Sequence, residues 1–241
     1  MQLVILAGGL GTRISEESGY IPKPMIKIGK KPIIWHIIKY YTEFGFNDFI
    51  ICGGYKHAIL QKYFIKKDFK KLFNTKKNLN IKLVFTGKTA NTGERIKRVK
   101  KYLNYEFCLT YGDGLSDVNL KSLISFHRDN KKSLVTVTSV LPQPRYGILK
   151  FKGKKIFNFD EKKIKNEKWI NGGFFVCNKK MFYFFNNKNP VFEKDVLTKL
   201  AKKNFLFGYK HKGFWYCMDT LRDKKHLNYL WDENKAPWKI W

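Results

Sequence analysis

A glycine-rich loop with two nearby cationic side chains is the first feature of this sequence that could do chemistry. The loop, GGLGTR at 8–13, follows an apolar segment and carries Arg13, and Lys23 comes ten residues later between Pro22 and Pro24. Glycines let backbone N–H groups approach an anion closely, and the prolines stiffen the backbone around the lysine. This combination suits a triphosphate on which negative charge develops. The alternative is an ordinary tight turn with solvated charges.

The loop matches neither of the two most familiar phosphate-binding patterns. Gly9 and Gly11 fit the first two glycines of the dinucleotide fingerprint GxGxxG, but the third falls on Ile14. The lysine position of the P-loop, six residues after Gly8, is also Ile14. The loop therefore belongs to a third class of phosphate cradle.

Two aspartates follow predicted strands and could bind a metal ion together. Asp113 follows a strand at 105–110, and Asp219 follows the short strand FWYC at 214–217. Open α/β sheets bind ligands at the carboxyl ends of their strands, and Mg²⁺ takes oxygen ligands while keeping several waters. Each aspartate could instead be a turn residue or a helix N-cap.

At this point the motifs carry a resemblance to a known family. LAGGLGTR at 6–13 together with PKPM at 22–25 resembles the signature of the sugar-nucleotide pyrophosphorylases, which are nucleotidyltransferases. Further segments resemble the glucose-1-phosphate cytidylyltransferase subfamily: YGDG at 111–114, INGGFFV at 170–176, GFW at 213–215, MDTLRD at 218–223 and APWKIW at 236–241. The resemblance runs nearly end to end, and its C-terminal pair of motifs is the most specific part.

The resemblance implies a Mg²⁺-dependent reaction of CTP with α-D-glucose 1-phosphate that gives CDP-glucose and pyrophosphate. The attacking phosphate is already ionised, so the reaction needs no general base and depends on positioning and charge neutralisation. The sequence agrees, because none of its five histidines lies in a recognisable catalytic motif. A nucleic-acid-binding module and a non-catalytic regulatory relative are the alternatives from other classes.

The resemblance also implies roles for individual residues. Arg13 would bind the leaving pyrophosphate, Lys23 would neutralise the α-phosphate and the attacking phosphate, and Asp113 and Asp219 would bind Mg²⁺. The implied nucleotide-binding residues are Leu6, Ala7, Gly8, Gly9, Leu10, Gly11, Thr12, Thr89, Ala90, Thr92, Arg95 and Gly112. The implied sugar-phosphate-binding residues are Tyr146, Gly147, Glu161, Lys162, Asn171 and Gly172, with Glu193 as a further candidate.

Four departures from the family pattern leave the substrates open. Ala90 stands where a hydroxyl residue is common, Glu94 replaces the second glycine of TGGR, and Lys163 replaces the proline of a Glu-Lys-Pro motif. The connection at 64–85 is shorter than in relatives of the subfamily. Glu94 could accept a hydrogen bond from the cytosine amino group or simply face solvent. The same chemistry with another NTP, or with another sugar or non-sugar phosphate, is therefore the alternative hypothesis.

Strand and helix signals alternate over the first 130 residues, which predicts stacked βαβ units and a parallel sheet. Strands are predicted at 2–7, 48–52, 80–86 and 105–110, and helices at 32–44, 56–66, 93–103 and 118–128. After about residue 133 strand-like runs dominate and predict a mixed or antiparallel extension of the same sheet, with helices again at about 178–185, 192–203 and 220–233. The predicted fold class is α/β, a Rossmann-like mixed, mostly parallel sheet flanked by helices.

The chain is predicted to form one domain over 1–241, with a nucleotide-binding half at 1–130 and a sugar-binding half at 131–241. Asp117 is predicted to cap the helix at 118–128, and the lysine-rich stretch 66–79 to be a surface helix end or a mobile loop. The tryptophans at 231, 238 and 241 either pack against the core or form an interface.

Composition limits the remaining classes. The net charge is +29, but only six of the 48 basic residues are arginine, whereas base readout and bidentate phosphate recognition favour arginine. We therefore expect no nucleic-acid partner. No apolar run is long enough to predict a membrane span, no secretory signal is evident, and four scattered cysteines lack metal-binding spacing. A cytoplasmic protein is expected, and the resemblance implies a homo-oligomer.

Overall fold

A seven-stranded mixed sheet forms the centre of the computed structural model, which describes residues 1–14, 19–65, 68–142, 148–160 and 168–241. The strands of the chain are β1 (Gln2–Ala7), β2 (Lys27–Ile28), β3 (Lys31–Pro32), β4 (Asp48–Gly53), β5 (Asn80–Phe85), β6 (Glu106–Tyr111), β7 (Gly114–Ser116), β8 (Val135–Val140), β9 (Ile148–Lys152), β10 (Lys155–Asp160), β11 (Ile170–Asn178), β12 (Leu206–His211) and β13 (Trp215–Cys217). The main sheet has the order β12-β8-β11-β6-β1-β4-β5.

Helices cover the sheet and its edges. The α-helices are α1 (Ile33–Glu43), α2 (His57–Phe64), α3 (Phe69–Phe73), α4 (Thr92–Val99), α5 (Leu120–Asp129), α6 (Thr198–Lys202) and α7 (Leu221–Asp232). A π-helix at Phe192–Leu197 leads directly into α6. Shorter 3₁₀ turns lie at Thr12–Ile14, Lys23–Met25, Lys100–Tyr102 and Lys179–Phe184.

Strand β1 lies inside the sheet, between β6 and β4, and its side chains are buried on both faces. Leu3 and Ile5 pack into the core on one face, whereas Val4 and Leu6 pack into the core on the other. This follows from the alternation of side chains along a strand. The neighbouring strands β4 and β6 pair with β1 in parallel, so their carboxyl ends meet at one edge of the sheet.

Strand β11 is the antiparallel member of the main sheet, between β6 and β8. Its pairing with β8 is interrupted by a register shift between Asn171 and Phe175. Gly173 lies within this bulge at φ +79°, a conformation that glycine adopts without strain. Because β11 runs antiparallel to β6, Asn171 and Gly172 at its start lie at the edge of the sheet where β1 and β6 end.

The C-terminal segment is anchored on α1 by aromatic side chains. Trp238 is fully buried, and its Nε1 donates to Nδ1 of the fully buried His36 at 3.4 Å. The His36 Nε2 lies 3.0 Å from the carbonyl oxygen of Ile28 and donates to it. Trp238 therefore packs in the core, which decides between the two expectations for this tryptophan.

The fold class predicted from the sequence is confirmed, with two local corrections. Asp117 does not cap the helix that follows it: α5 begins at Leu120, and the side chain of Asn119, next to the first helical residue, accepts from the Ser122 amide. The lysine-rich stretch contains α3, whose Phe73 is fully buried and stacks on Trp35. The described part of this stretch, 68–79, is thus tied to the core by the Phe73 side chain.

Within the described ranges, the helices are all too short or too polar to cross a membrane.

Candidate active site

Two adjoining clefts open at the carboxyl ends of the central strands, each of about 460–470 Å³. Thr92, Tyr111, Asp113 and Asp219 line both of them. The first cleft follows the glycine loop, and the second follows the bulge in β11. Their shared wall is therefore the place where groups bound in the two clefts would meet.

The first cleft gathers almost all the residues predicted to bind a nucleotide. Its lining includes Leu6, Ala7, Gly9, Leu10, Gly11, Thr12, Lys23, Thr89, Ala90, Thr92, Arg95, Gly112, Asp113 and Asp219. Gly8 lies behind this surface, where a Cβ atom would stand 2.2 Å from the Arg95 Nη1. Arg13 belongs to the 3₁₀ turn at Thr12–Ile14, but its side chain is outside what the structure describes.

The second cleft contains part of the predicted sugar-phosphate set. Asn171 and Gly172 line it, together with Glu193, Trp215 and Cys217. The other four predicted residues, Tyr146, Gly147, Glu161 and Lys162, lie outside the described residues, as does Lys163.

Lys23 lines the first cleft and forms ion pairs with the two aspartates that line both clefts. Its Nζ lies 2.6 Å from Oδ2 of Asp113 and 2.7 Å from Oδ1 of Asp219. Burial by itself lowers the pKa of Lys23, but the charge of Asp113 and the hydrogen bonds to both carboxylates more than offset it, and the net pKa lies above its ordinary value. The ammonium thus stays charged between two carboxylates.

Hydrogen bonds between distant segments bring the two carboxylates together. Strand β13 pairs with β7, with Cys217 opposite Gly114, and the Met218 amide donates to the carbonyl oxygen of Asp113 at 3.0 Å. The Asp219 amide donates to the Asp223 carboxylate at 2.9 Å. Thr220, in a capping box with Asp223, is the N-cap of α7, so Asp219 does not have the capping role considered for it.

The donor set between the clefts fits a divalent cation. One carboxylate oxygen each of Asp113 and Asp219 and the sulfur of Cys217 all lie within 4.8 Å of one another. The Lys23 ammonium already stands between the two carboxylates, which shows that this position stabilises positive charge. Two carboxylates are ligands that Mg²⁺ accepts, with water completing its coordination.

Arg95 is buried behind the glycine loop and satisfies backbone carbonyl groups there. Its guanidinium donates to the carbonyl oxygens of Gly8 and Gly87, both at 2.8 Å, and to Oγ1 of Thr86 at 3.0 Å. Burial lowers the pKa of Arg95 from its usual value. These bonds fix the loop at the end of β1 relative to the segment after β5.

A second hydrogen-bonded group links the wall between the clefts to the bulge in β11. The Glu193 carboxylate accepts from Thr92 Oγ1 at 2.7 Å and from the hydroxyl of Tyr111. The same Tyr111 hydroxyl accepts from Asn171 Nδ2 at 3.2 Å. Trp215 Nε1 donates to the carbonyl oxygen of Gly172 at 2.6 Å. The π-helix at Phe192–Leu197 supplies Glu193, and π-helices are frequent at functional sites.

The departures noted in the sequence have different positions. Ala90 lines the first cleft. Glu94 instead forms an ion pair with Arg98, one turn on in α4, at 2.8 Å. The ion pair of Glu94 is thus within α4, and Glu94 is not among the residues that line either cleft.

Sequence reasoning missed Cys217 and Tyr111 as members of the site. A signal for Cys217 exists in its position, at the end of β13 and two residues before Asp219. Tyr111 directly precedes the GDG turn, at the end of β6. Its contact with Glu193 depends on tertiary packing that the sequence pattern does not contain.

Comparisons with known proteins agree with this geometry. The sequence pattern of the family described as "Nucleotidyl transferase" matches residues 2–223. The chain is 42% identical, over the full length of both chains, to a glucose-1-phosphate cytidylyltransferase from Salmonella typhimurium (strain LT2). It is 38% identical, again over both full lengths, to a Bacillus subtilis (strain 168) protein described as "Probable glucose-1-phosphate cytidylyltransferase".

A solved structure has the same fold. HddC from Yersinia pseudotuberculosis, complexed with GMP-PN, superposes with a TM-score of 0.73 at 26% identity. The superposition covers 95% of this chain and 99% of that one.

Proposed function

The chain belongs to the nucleotidyl transferase family, and from this premise we propose that it transfers a cytidylyl group from CTP to α-D-glucose 1-phosphate. The products are CDP-glucose and pyrophosphate. The observation that carries the proposal is the Lys23 ammonium between Asp113 and Asp219, on the wall that the two clefts share. The choice of cytosine as the base and glucose as the sugar is inferred from relatives matched over their full length, which are described as a glucose-1-phosphate cytidylyltransferase and a probable one.

In this proposal the two substrates occupy one cleft each. CTP lies along the glycine loop, whose backbone amides face the phosphates, and the sugar phosphate lies along Asn171 and Gly172. The acceptor phosphate then approaches the α-phosphorus of CTP next to Lys23, and pyrophosphate leaves on the side of the loop and Arg13. This division corresponds to a nucleotide-binding half at 1–130 and a sugar-binding half at 131–241 of a single domain.

Catalysis under this proposal is positioning and charge neutralisation. An ionised phosphate is its own nucleophile, so no side chain needs to accept a proton. Lys23 is held charged by the carboxylates, and it can transfer its contacts to phosphate oxygens that approach the same point. Ammonium groups aimed at developing phosphate charge are effective because they are oriented before the reaction.

Asp113 and Asp219 are proposed to bind Mg²⁺. When bound, Mg²⁺ would neutralise phosphate charge at the wall between the clefts. Asp113 and Asp219 would hold the ion, and the Lys23 ammonium, which contacts both carboxylates, would then be available to the substrate phosphates. A homo-oligomer, which the family resemblance implies, would have to offset the net charge of +29.

Pyrophosphate release with Mg²⁺, glucose 1-phosphate and each of CTP, UTP, dTTP, ATP and GTP tests the proposal. We expect release with CTP, and we expect Asp219→Asn to lose at least about a hundredfold in kcat because one carboxylate of the pair is gone. Asp232→Asn is the matched control, since this aspartate is exposed at the end of α7. It should keep wild-type activity.

Release with a different NTP would favour the alternative, in which the same chemistry uses other substrates. If none of the five NTPs gives pyrophosphate release, glucose 1-phosphate is not the acceptor. Wild-type activity of Asp219→Asn would remove Asp219 from the metal site.

A further inference from the structure

Cys217 differs from the other three cysteines of the chain in its surroundings. Cys52, Cys108 and Cys177 are buried in the core, and burial raises the pKa of Cys52 to about 12. Cys217 is half-buried and lines the second cleft. Its thiol can therefore meet solutes that enter the site.

The sulfur of Cys217 stands beside the two carboxylates that contact Lys23. Its Sγ and the oxygens of Asp113 and Asp219 lie within 4.8 Å of one another, so three possible metal ligands surround one point. The spacing is fixed by the backbone, because β13 pairs with β7 and the Met218 amide donates to the carbonyl oxygen of Asp113. The feature is thus a three-donor group held by two strands, with a cation already next to it.

These three donors discriminate between classes of metal ion. Mg²⁺ is a hard cation that takes oxygen ligands, so the thiol gives it nothing that water does not. Zn²⁺ and related thiophilic cations bind sulfur, and Zn²⁺ accepts mixed sulfur and carboxylate ligands in four-coordinate sites. A third protein donor of this kind favours the thiophilic ion over Mg²⁺.

We propose that Asp113, Cys217 and Asp219 together form a binding site for a thiophilic divalent cation of the Zn²⁺ class. On binding, the thiol proton passes to solvent, and the cation takes the place of the Lys23 ammonium between the carboxylates. The binding follows from the donor set alone. Its consequence, inhibition, rests on the proposed function.

Inhibition follows from the number of coordination positions left for substrate. Octahedral Mg²⁺ held by two carboxylates keeps most of its positions for water and phosphate oxygens. A four-coordinate ion held by three protein ligands keeps one. We therefore expect Zn²⁺ to inhibit in the presence of a large excess of Mg²⁺.

Titration of the metal-free full chain with Cd²⁺, in the absence of substrates, tests the binding. We expect an ultraviolet thiolate-to-Cd²⁺ charge-transfer band that saturates at one equivalent. Cys217→Ser should lose the band and bind Cd²⁺ at least tenfold more weakly, while its three buried cysteines report any unspecific thiol binding. Asp219→Asn should keep a band but bind at least tenfold more weakly, because it removes one donor of the three.

Equal bands in wild type and Cys217→Ser, or no band in wild type, would overturn the proposal. Wild-type affinity in Asp219→Asn would also overturn it, since binding would then need the thiol alone. If circular dichroism shows that Cys217→Ser does not fold, alkylation of the wild type with iodoacetamide decides. Intact-protein mass spectrometry should show that Cd²⁺ protects one thiol from alkylation. Equal alkylation with and without Cd²⁺ would overturn the proposal.

Pyrophosphate release keeps this inference separate from the proposed function. A Cd²⁺ band in a protein that releases no pyrophosphate would leave the metal site standing and overturn the enzymatic proposal. Pyrophosphate release by a protein that shows no Cys217-dependent band would support the enzymatic proposal and overturn the metal site. With both present, the Zn²⁺ concentration for half-inhibition should rise at least tenfold in Cys217→Ser.

Discussion

The Lys23 ammonium contacts two carboxylates, whereas the buried Arg95 guanidinium contacts uncharged carbonyl and hydroxyl oxygens. The lysine is a single point charge that can move between partners of opposite charge. The arginine has a planar fork that makes several fixed hydrogen bonds at once. Among individual residues, Lys23 is therefore suited to meet substrate charge and Arg95 to hold the loop that surrounds the substrate.

Replacing Arg95 with lysine should weaken CTP binding, because Arg95 positions the glycine loop. A lysine cannot reach Gly8, Gly87 and Thr86 together, so we expect the KM for CTP to rise about tenfold or more, equivalent to at least ~1.4 kcal/mol. The KM for glucose 1-phosphate should change little. Steady-state kinetics with each substrate varied in turn measures both values.

Arg98→Lys is the matched control for this change, because Arg98 lies one turn further along α4 and its side chain is about half exposed. It should leave both KM values near those of the wild type. Equal effects of Arg95→Lys on the two KM values would contradict a specific role for Arg95 in shaping the nucleotide cleft.

Some of the site was predictable from single residues and some was not. The glycine loop, Lys23 and the two aspartates stand out by residue type and motif. Arg95 lines the first cleft, as the motif implies, but its hydrogen bonds to backbone carbonyl groups depend on how α4 packs behind β1. For Glu94 the sequence left a role in the base pocket and a solvent-facing position open, and its ion-pair partner is Arg98, in the next turn of the same helix. A motif specifies residue types, whereas the direction of a side chain depends on packing.

At the scale of elements, helix α1 is buried along almost its whole length. The sheet covers one side of it, and the aromatic C-terminal segment covers another through Trp231, Trp238 and Trp241. His36 is at the centre of this contact, with both ring nitrogens hydrogen-bonded. A neutral ring with its proton on Nε2 matches these partners, because Nδ1 must accept from the indole.

Stability should therefore fall in mildly acidic solution through His36. Burial lowers the pKa of His36 from 6.5 to about 4 in the folded chain, so between these values the unfolded state binds a proton that the folded state does not. Stability from this group is complete above pH 6.5 and is lost as the pH falls toward 4, by up to about 3 kcal/mol. Urea unfolding at pH 7.5, 6, 5 and 4.5 measures it.

His36→Gln should weaken the fold at neutral pH and flatten this part of the pH profile. His226→Gln, at an exposed position on α7, serves as the control and should keep the wild-type slope. An unchanged slope in His36→Gln would show that other groups cause the acid sensitivity.

The type and order of elements could be predicted where the hydrophobic pattern is strong. They could not be predicted where contacts between distant segments determine the local conformation. Continuous apolar runs identified β1, β4 and β6, and their alternation with helices indicated parallel pairing. The α-helix expected over 192–203 begins instead as a π-helix. The hydrogen bonds of Thr92 Oγ1 with the Glu193 carboxylate and with the Phe192 amide tie this turn to α4. Such contacts between distant segments leave no periodic trace in the sequence.

At the scale of the whole molecule, the net charge of +29 matters for the approach of the substrates. CTP and glucose 1-phosphate are both anions, and a strongly charged protein steers ions of opposite charge toward it. Salt screens such steering, since the Debye length is about 10 Å at 0.1 M ionic strength.

We expect kcat/KM for CTP to fall several-fold between 50 and 300 mM KCl, with a smaller change in kcat. The measurement keeps free Mg²⁺ constant, and a parallel series in sucrose controls for viscosity. A kcat/KM that does not depend on salt would show that the charge has no part in substrate capture.

The burial of Trp238 against His36 also has a consequence for synthesis of the chain. The two residues are 202 positions apart, so α1 leaves the ribosome well before residue 238 does. Until residue 238 has been translated and has emerged, the face of α1 that this tryptophan covers has no partner from the C-terminal segment. The nascent protein therefore carries this surface uncovered while the 202 positions that separate His36 from Trp238 are translated, and Trp238 completes this part of the core.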